Sequence, residues 1–145
     1  MSFSIDANVL LYASDTASPF HDRALTFLNE RVVANELFCL AWPVVMAYLR
    51  IATHPSIFTT PLASAEAMHN VEALVNLPYV RMLGEDEGFW TAYRDAVGEQ
   101  PIRGNLVSDA HVAALLKQHG VKTLYSSDRD YRRFSFLRVV DPFTR

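Results

Sequence analysis

Cysteine and glycine are scarce in this chain, and their scarcity excludes two classes of protein. Cys39 is the only cysteine among 145 residues, so the chain cannot form an internal disulfide. It lies in the apolar stretch Leu37-Phe38-Cys39-Leu40, where a buried thiol is expected rather than a catalytic one. Glycine occurs five times, and never in the spacing of a loop that cradles phosphate. A disulfide scaffold and a P-loop nucleotide-binding protein are therefore both excluded.

Long hydrophobic runs are missing as well. No stretch approaches the roughly 20 consecutive apolar residues that cross a bilayer. The N-terminus also lacks the basic start and the long apolar segment of a signal peptide. Half of the residues are hydrophobic, which predicts a packed core, and 145 residues are typical of one domain. We therefore expect a single domain over residues 1–145, located in the cytoplasm.

Positive charge comes almost entirely from arginine, because Lys117 and Lys122 are the only lysines. The net charge of −3 excludes a polycation, but the arginines are not evenly spread. A group of them lies near the C-terminal end: Arg129, Arg132, Arg133, Arg138 and Arg145. Because the planar guanidinium matches phosphate oxygens, these arginines are either phosphate contacts or ordinary solvated residues.

Apolar runs and helical patterns alternate along the chain. Short apolar runs predict strands at residues 2–5, 37–40, 79–83, 121–125 and 137–140. Helical spacing, with Ser18 as a cap and proline or glycine as stop signals, predicts helices at residues 19–33, 42–53, 64–76, 87–97 and 105–119. Continuous apolar strands are typical of a parallel sheet covered on both faces, so we predict an α/β fold.

Three aspartates fall where a predicted strand meets a helix. Asp6 follows the first strand, Asp128 follows the strand that ends at Tyr125, and Asp109 heads a helix. If the two strands are parallel neighbours, Asp6 and Asp128 reach the edge of the sheet where open α/β folds bind ligands. Clustered carboxylates repel one another unless a cation lies between them, so the pattern favours a divalent-metal site. The alternatives are helix capping by Asp6 and Asp128 and a helix-dipole contribution by Asp109.

Four segments carry a resemblance to a known family. They read Asp6-Ala7-Asn8-Val9-Leu10-Leu11-Tyr12-Ala13, Leu49-Arg50-Ile51-Ala52-Thr53-His54-Pro55, Gly104-Asn105-Leu106-Val107-Ser108-Asp109-Ala110-His111 and Ser127-Asp128-Arg129-Asp130-Tyr131-Arg132-Arg133-Phe134. In this order and spacing they resemble the PIN-domain ribonucleases, and more narrowly the VapC-type toxins of type II toxin–antitoxin systems. The resemblance extends from Asp6 to Pro142. It implies that residues 1–145 form a single PIN domain, a three-layer fold in which helices flank a short parallel sheet.

The resemblance also implies an activity and a set of site residues. The activity is a Mg²⁺- or Mn²⁺-dependent endoribonuclease that cuts single-stranded RNA regions, such as loops of transfer or ribosomal RNA. Asp6, Asp109 and Asp128 match the family's metal ligands and are the predicted catalytic residues. Ser126 matches a small hydroxyl position in the family, although a strand-end hydroxyl that bonds the backbone explains it equally well. Asp130 is a further accessory candidate, although two residues from Asp128 is a poor same-face spacing on a helix.

Two partners besides RNA follow from the same resemblance. A VapB-type antitoxin is expected to neutralise the enzyme by blocking its site, and the toxin is expected to form a homodimer. Tyr12, Trp42 and Tyr48 are aromatic candidates for stacking on unpaired bases, and burial in the core is the alternative expected for most of them. No contact with a membrane is implied.

One position departs from the family pattern. PIN ribonucleases commonly carry a glutamate in a Glu-Phe-Leu-Arg stretch, and this chain reads Ala47-Tyr48-Leu49-Arg50. Alanine cannot bind metal, and no other acid lies between Cys39 and Thr60. The loss motivates a second hypothesis, a catalytically degenerate PIN-like module that binds RNA or a partner without cutting. A third is a metal-dependent phosphatase of another α/β fold, but the second aspartate of such enzymes is replaced here by Asn8.

The histidines offer no zinc site. They are scattered, and none has a cysteine, histidine or carboxylate at a zinc-ligand spacing: His21, His54, His69, His111 and His119. We interpret all of them as surface or structural residues. His111 is two residues from Asp109, so it is expected to point elsewhere on the helix.

Overall fold

Five parallel strands of the described part of the chain form one sheet at the centre of the fold. The computed structural model describes residues 1–144. Its strands are β1 (Ser2–Ile5), β2 (Leu37–Ala41), β3 (Val80–Leu83), β4 (Thr123–Tyr125) and β5 (Arg138–Val140). Their order in the sheet is β3-β2-β1-β4-β5, and every neighbouring pair is parallel. The predicted α/β fold, a short parallel sheet flanked by helices, is confirmed.

Six α-helices and one short 3-10 helix connect these strands. They are α1 (Ala7–Ser14), α2 (His21–Val33), α3 (Trp42–Ala52), α4 (Ser64–Val75), α5 (Phe89–Val97), α6 (Leu106–Gln118) and the 3-10 helix (Arg129–Arg133). Gly98 has a φ of 59° at the end of α5, a conformation that glycine adopts without strain. Within residues 1–144, no helix is long and apolar enough to cross a membrane.

The predicted start of α2 is wrong by two residues. Ser18 does cap a turn, because its Oγ accepts a hydrogen bond from the backbone N–H of Phe20 at 3.1 Å. Its carbonyl oxygen also accepts from the backbone N–H of His21. Pro19 and Phe20 therefore belong to this turn, and the helix begins only at His21.

The register of the sheet explains why Asp6 and Asp128 come together. Ser4 pairs with Leu124 and Ile5 with Tyr125, so β1 and β4 end side by side. The backbone N–H of Asp6 then donates to the carbonyl of Tyr125 at 3.0 Å. The residues that follow the two strands consequently emerge at the same carboxyl edge of the sheet.

Helix α6 is the most deeply buried helix and fixes the position of Asp109. Its buried side chains include three alanines, whose small volume allows close packing: Ala110, Val112, Ala113, Ala114, Leu115 and Leu116. Asp109 lies in its first turn and is only partly exposed. The predicted core stripe of Val112, Ala113 and Leu116 is confirmed, as is the burial of Cys39.

Candidate active site

The three predicted aspartates lie at the carboxyl edge of the sheet, and two of them also cap helices. Asp6 caps α1, and its Oδ1 accepts a hydrogen bond from the backbone N–H of Ala7 at 2.8 Å. Asp128 caps the 3-10 helix, and its Oδ1 accepts from the backbone N–H of Asp130 at 2.9 Å. The capping alternative is thus confirmed for both. It does not exclude metal binding, because each carboxylate has a second oxygen that takes no part in the cap.

The tightest carboxylate group contains Asp130 and not Asp6. Asp109, Asp128 and Asp130 each offer an oxygen, and these oxygens all lie within 4.8 Å of one another. The spacing argument against Asp130 is wrong because Asp128 is the cap and lies outside the helix. The cap bond from the Asp130 N–H folds the two residues together, so helical spacing does not apply to them.

Asp6 is joined to the other motifs through Ser126. The Oγ of Ser126 donates to Asp6 Oδ2 at 2.9 Å and accepts from the backbone N–H of Asp128 at 3.0 Å. Asn8 Nδ2 donates to both Ser126 Oγ and Asp6 Oδ2, at 3.3 and 3.4 Å. Ser126 is buried, so this network is shielded from solvent. The Ser126 hydroxyl therefore bonds the backbone, as the structural alternative predicts, and it also holds the carboxylate of Asp6.

Sequence reasoning gave no role to Tyr131, although it contacts the site. Its ring is buried, and its hydroxyl donates to Asp6 Oδ1 at 3.4 Å. The pKa of the Tyr131 hydroxyl is raised first by burial and then by the negative charges of Asp6, Asp109 and Asp128. The phenol is therefore neutral and remains a hydrogen-bond donor at neutral pH.

The same crowding of charge affects the aspartates. Burial raises the pKa of Asp6, while hydrogen bonds from Ala7, Ser126 and Tyr131 lower it. The pKa of Asp109 is raised to about 6, first by burial and then by the charges of Asp128, Asp6 and Asp130. Oxygen donors with excess negative charge are the set that Mg²⁺, Mn²⁺ or Ca²⁺ prefers. The buried Oδ1 of Asn8, which has no partner among the described residues, offers one more oxygen beside them.

The raised pKa of Asp109 predicts a pH dependence of stability for the metal-free chain. The ordinary pKa is 3.8, and the folded value is about 6. Between the two, the folded state holds a proton that the unfolded state has released, so stability falls as the pH rises. We expect urea denaturation from about pH 4 to about pH 7 to show a smaller fall for Asp109→Asn than for wild type. Parallel pH profiles for the two proteins would contradict this assignment.

Two of these carboxylates, those of Asp6 and Asp109, line a cleft of about 800 Å³. Its polar lining includes Asp6, Asn8 and Asp109, and its apolar lining consists mainly of side chains from α1, α3 and the segment after α3: Leu11, Val44, Met46, Ala47, Ile51 and Ile57. Ligand sites for small organic molecules span roughly 300–1,000 Å³, so this cleft has room for more than a hydrated ion. The arrangement suits a molecule that brings both phosphate groups and flat apolar surfaces to a cation.

Ala47 faces this cleft, while its neighbour Tyr48 does not. Ala47 lines the same cleft as Asp6 and Asp109. Tyr48 is buried, and its hydroxyl is hydrogen-bonded with Ser14 at 2.7 Å and accepts from Asn70 at 3.0 Å. The prediction that Tyr48 stacks on bases is therefore wrong, because its ring is enclosed.

His111 lies on a different face of α6 from Asp109, as the spacing of two residues predicts. It lines the same cleft as Asp109, and its Nε2 is hydrogen-bonded to the carboxylate of Glu85. The cleft is wide enough to extend around the first turn of α6, so two residues on different faces both reach it. The structural interpretation holds for His21 and His119, whose ring nitrogens bond backbone carbonyls.

The C-terminal arginines divide into bound and exposed members. Arg133 donates from Nε to the carbonyl of Asp130 at 3.2 Å, and its Nη2 lies 3.8 Å from the Asp130 carboxylate. Arg129 and Arg132, on the same 3-10 helix, are exposed. Arg145 lies outside the described residues. An arginine of the second motif, Arg50, lines the cleft itself.

Comparison with known proteins gives a consistent family assignment at the sequence level. The model of the PIN domain family matches residues 4–137. Ribonuclease VapC48 of Mycobacterium tuberculosis is 44% identical over 144 residues, which cover 99% of each chain. Ribonuclease VapC37 of the same organism is 30% identical over 138 residues, which cover 95% of each chain.

Solved structures resemble the fold over nearly the full chain. VapBC2 from Rickettsia felis, solved bound to a DNA fragment from their promoter, has a TM-score of 0.69 at 13% identity. That match covers 97% of this chain and 98% of the other. VapC20 of Mycobacterium tuberculosis, a sarcin-ricin loop cleaving toxin, has a TM-score of 0.65 at 13% identity and covers 90% and 92%. At these identities the likeness concerns the fold alone.

Proposed function

This chain belongs to the PIN-domain family, and within it to the VapC ribonucleases, and on that premise we propose that it is a metal-dependent endoribonuclease toxin. Its substrate is a single-stranded region of RNA, such as a loop of transfer or ribosomal RNA. Its cofactor is Mg²⁺ or Mn²⁺. The observation that carries the proposal is the group of aspartates at the sheet edge, of which Asp6 and Asp109 line a cleft that is larger than an ion needs.

Residues from the first, third and fourth of the family segments would hold the cation. Asp109, Asp128 and Asp130 would bind it, with Asp6 beside them as the fourth carboxylate. Ser126 holds Asp6 through a hydrogen bond to Oδ2. When bound, a divalent cation supplies Lewis-acid activation of water and neutralises charge on the phosphate. Without such a cation the carboxylates would repel the phosphate that is to be cut, so that phosphate approaches them only when metal is bound.

The remaining cleft residues position the RNA. Arg50 carries a guanidinium that matches the phosphate oxygens. Met46 and Ile57 are exposed apolar side chains in the cleft, where unstacked bases would find hydrophobic contacts. Hydrolysis by water attack in line with the departing 3′ oxygen leaves a 3′-hydroxyl and a 5′-phosphate.

Single-stranded RNA is expected to be cut and a duplex of the same sequence to be spared. A paired base cannot reach the apolar side of the cleft without unstacking, which costs a few kcal/mol. The measurement is gel analysis of one labelled oligonucleotide, alone and annealed to its complement, with Mn²⁺ present. Labelling of the new 5′ ends would check the products. Equal cutting of both forms would contradict the assignment of substrate.

The exposed arginines predict a salt effect on RNA binding in the metal-chelated protein. The affinity for RNA falls as salt rises. If Arg129 and Arg132 each contact a phosphate, replacing either by alanine should make the negative slope of log affinity against log salt less steep by about 0.7. Arg94→Ala is the matched control, because this exposed arginine lines a separate surface depression on α5. An unchanged slope in both C-terminal variants would leave these arginines as solvated residues.

The assembly and its location complete the proposal. A VapB-type antitoxin is the partner that blocks the site, and two copies of the toxin form a homodimer. Residues 1–145 act as a single PIN domain. Because both RNA and antitoxin are made in the cytoplasm, the toxin acts there.

A further inference from the structure

Tyr131 is buried beside the candidate active site, a position that no pattern in the sequence predicts. Its side chain is 2% exposed, and its hydroxyl donates to Asp6 Oδ1 at 3.4 Å. A buried hydroxyl needs a hydrogen-bond partner, and here that partner is a carboxylate of the candidate active site. Tyr131 also lines the cleft beside Asp6 and Asp109.

Tyr131 belongs to the segment that carries the other carboxylates. It lies in the five-residue 3-10 helix that Asp128 caps and that contains Asp130. Its ring lies 6.4 Å from the ring of Phe134, which is also buried. The ring therefore anchors this short helix in the core, while the hydroxyl connects it to Asp6 at the other end of the chain.

The hydrogen bonds of Asp6 show what the hydroxyl adds. Ser126 and Asn8 donate to Oδ2, and Ala7 and Tyr131 donate to Oδ1. The bond from Ala7 is part of a helix cap and forms in any helix with this start. The bond from Tyr131, like the bond from Ser126, instead depends on the tertiary fold, and it is the one that reaches Oδ1 from the segment with Asp128 and Asp130.

We propose that Tyr131 is a positioning residue of the metal site, whose hydroxyl sets the orientation of Asp6 relative to Asp128 and Asp130. This inference rests on the proposed function, because it assigns Tyr131 a role toward the cation that the site would hold. Tyr131 does not act on RNA directly. Its effect passes through Asp6 and is felt first as metal affinity.

The test removes one hydroxyl and leaves the ring in place. Tyr131→Phe keeps the packing against Phe134, so its unfolding midpoint should stay close to that of wild type. Calorimetric titration of the metal-free protein with Mn²⁺ should give an affinity weaker by about tenfold, the lower end for loss of an outer-shell partner. Saturating Mn²⁺ should restore most of the cleavage rate, because the ligands themselves are intact.

Tyr48→Phe is the matched control. Tyr48 is also 2% exposed, and its hydroxyl is likewise hydrogen-bonded, but to Ser14 and Asn70 rather than to an aspartate. Its Mn²⁺ affinity should stay within about twofold of wild type. Equal weakening in the two variants would overturn the proposal, because it would indicate a general loss of rigidity.

The remaining outcomes separate this inference from the proposed function. If wild type binds Mn²⁺ and cuts RNA while Tyr131→Phe keeps wild-type affinity, the positioning role is wrong and the nuclease assignment stands. If wild type binds no Mn²⁺, both are wrong.

Discussion

Replacing Asp109 by asparagine should lower the rate of RNA cleavage by more than about a hundredfold, with the fold intact. Loss of an outer-shell partner commonly costs 10–100-fold in metal affinity or activity, so loss of a direct ligand should cost more. The raised pKa of Asp109 indicates that its negative charge is unfavourable in the metal-free fold. Neutral asparagine removes that charge, so we expect the metal-free variant to be at least as stable as wild type at neutral pH.

Asp6→Asn should also abolish cleavage, but with a cost to stability. Asp6 accepts hydrogen bonds on both oxygens, from Ala7 and Tyr131 on one and from Ser126 and Asn8 on the other. An amide group has only one oxygen, so its NH₂ must face at least one of these donors. Asp109→Asn is therefore the cleaner test of metal binding.

Asp95→Asn is the control for both variants. Asp95 is an exposed aspartate on α5, in the surface depression that Arg94 also lines. It should retain wild-type cleavage and Mn²⁺ affinity. Full activity in Asp109→Asn, measured with initial rates on a labelled RNA, would remove Asp109 from the site.

Ala47→Glu should tighten Mn²⁺ binding by roughly tenfold or more, because affinity for hard cations rises with the number of carboxylate ligands. Ala47 lines the same cleft as Asp6 and Asp109, so a longer side chain at this position enters the space that the aspartates share. It lies on α3, where glutamate is a good helix former. Calorimetry on the metal-free protein is the measurement.

Ala47→Gln separates charge from size in this experiment. Glutamine has the same length and fills the same part of the cleft, but it brings no negative charge. It should leave Mn²⁺ affinity near that of wild type. If the folded glutamate variant binds Mn²⁺ no better than the glutamine variant, position 47 is not directed at the cation.

The sheet edge was predictable from sequence because parallel strands have a fixed polarity. Once residues 2–5 and 121–125 were assigned to parallel strands, Asp6 and Asp128 had to emerge on one side. The structure has β1 and β4 as neighbours, and Asp109 begins the buried stripe of α6 as its spacing indicated. Each of these inferences depends on a regular repeat within one element.

Other features of the site could not be predicted from the sequence, because they depend on contacts that follow no regular repeat within one element. Asp130 joins Asp109 and Asp128 because a capping turn, not a helix, connects it to Asp128. Tyr131 and Asp6 are 125 residues apart, and no local pattern links a tyrosine to a carboxylate over that distance. For Tyr48 both base stacking and core packing were open from the sequence, and the packing of α3 against α1 and α4 enclosed it.

The central claim is that this chain cuts RNA with a divalent cation held by its aspartates. The most direct measurement is incubation of the pure protein with transfer and ribosomal RNA, in Mg²⁺, in Mn²⁺ and in chelator. We predict discrete fragments with 5′-phosphate ends in the presence of metal, and intact RNA in chelator and with Asp109→Asn. Intact RNA under both metals, from a folded protein that still binds RNA, would contradict the nuclease and favour the degenerate binding module.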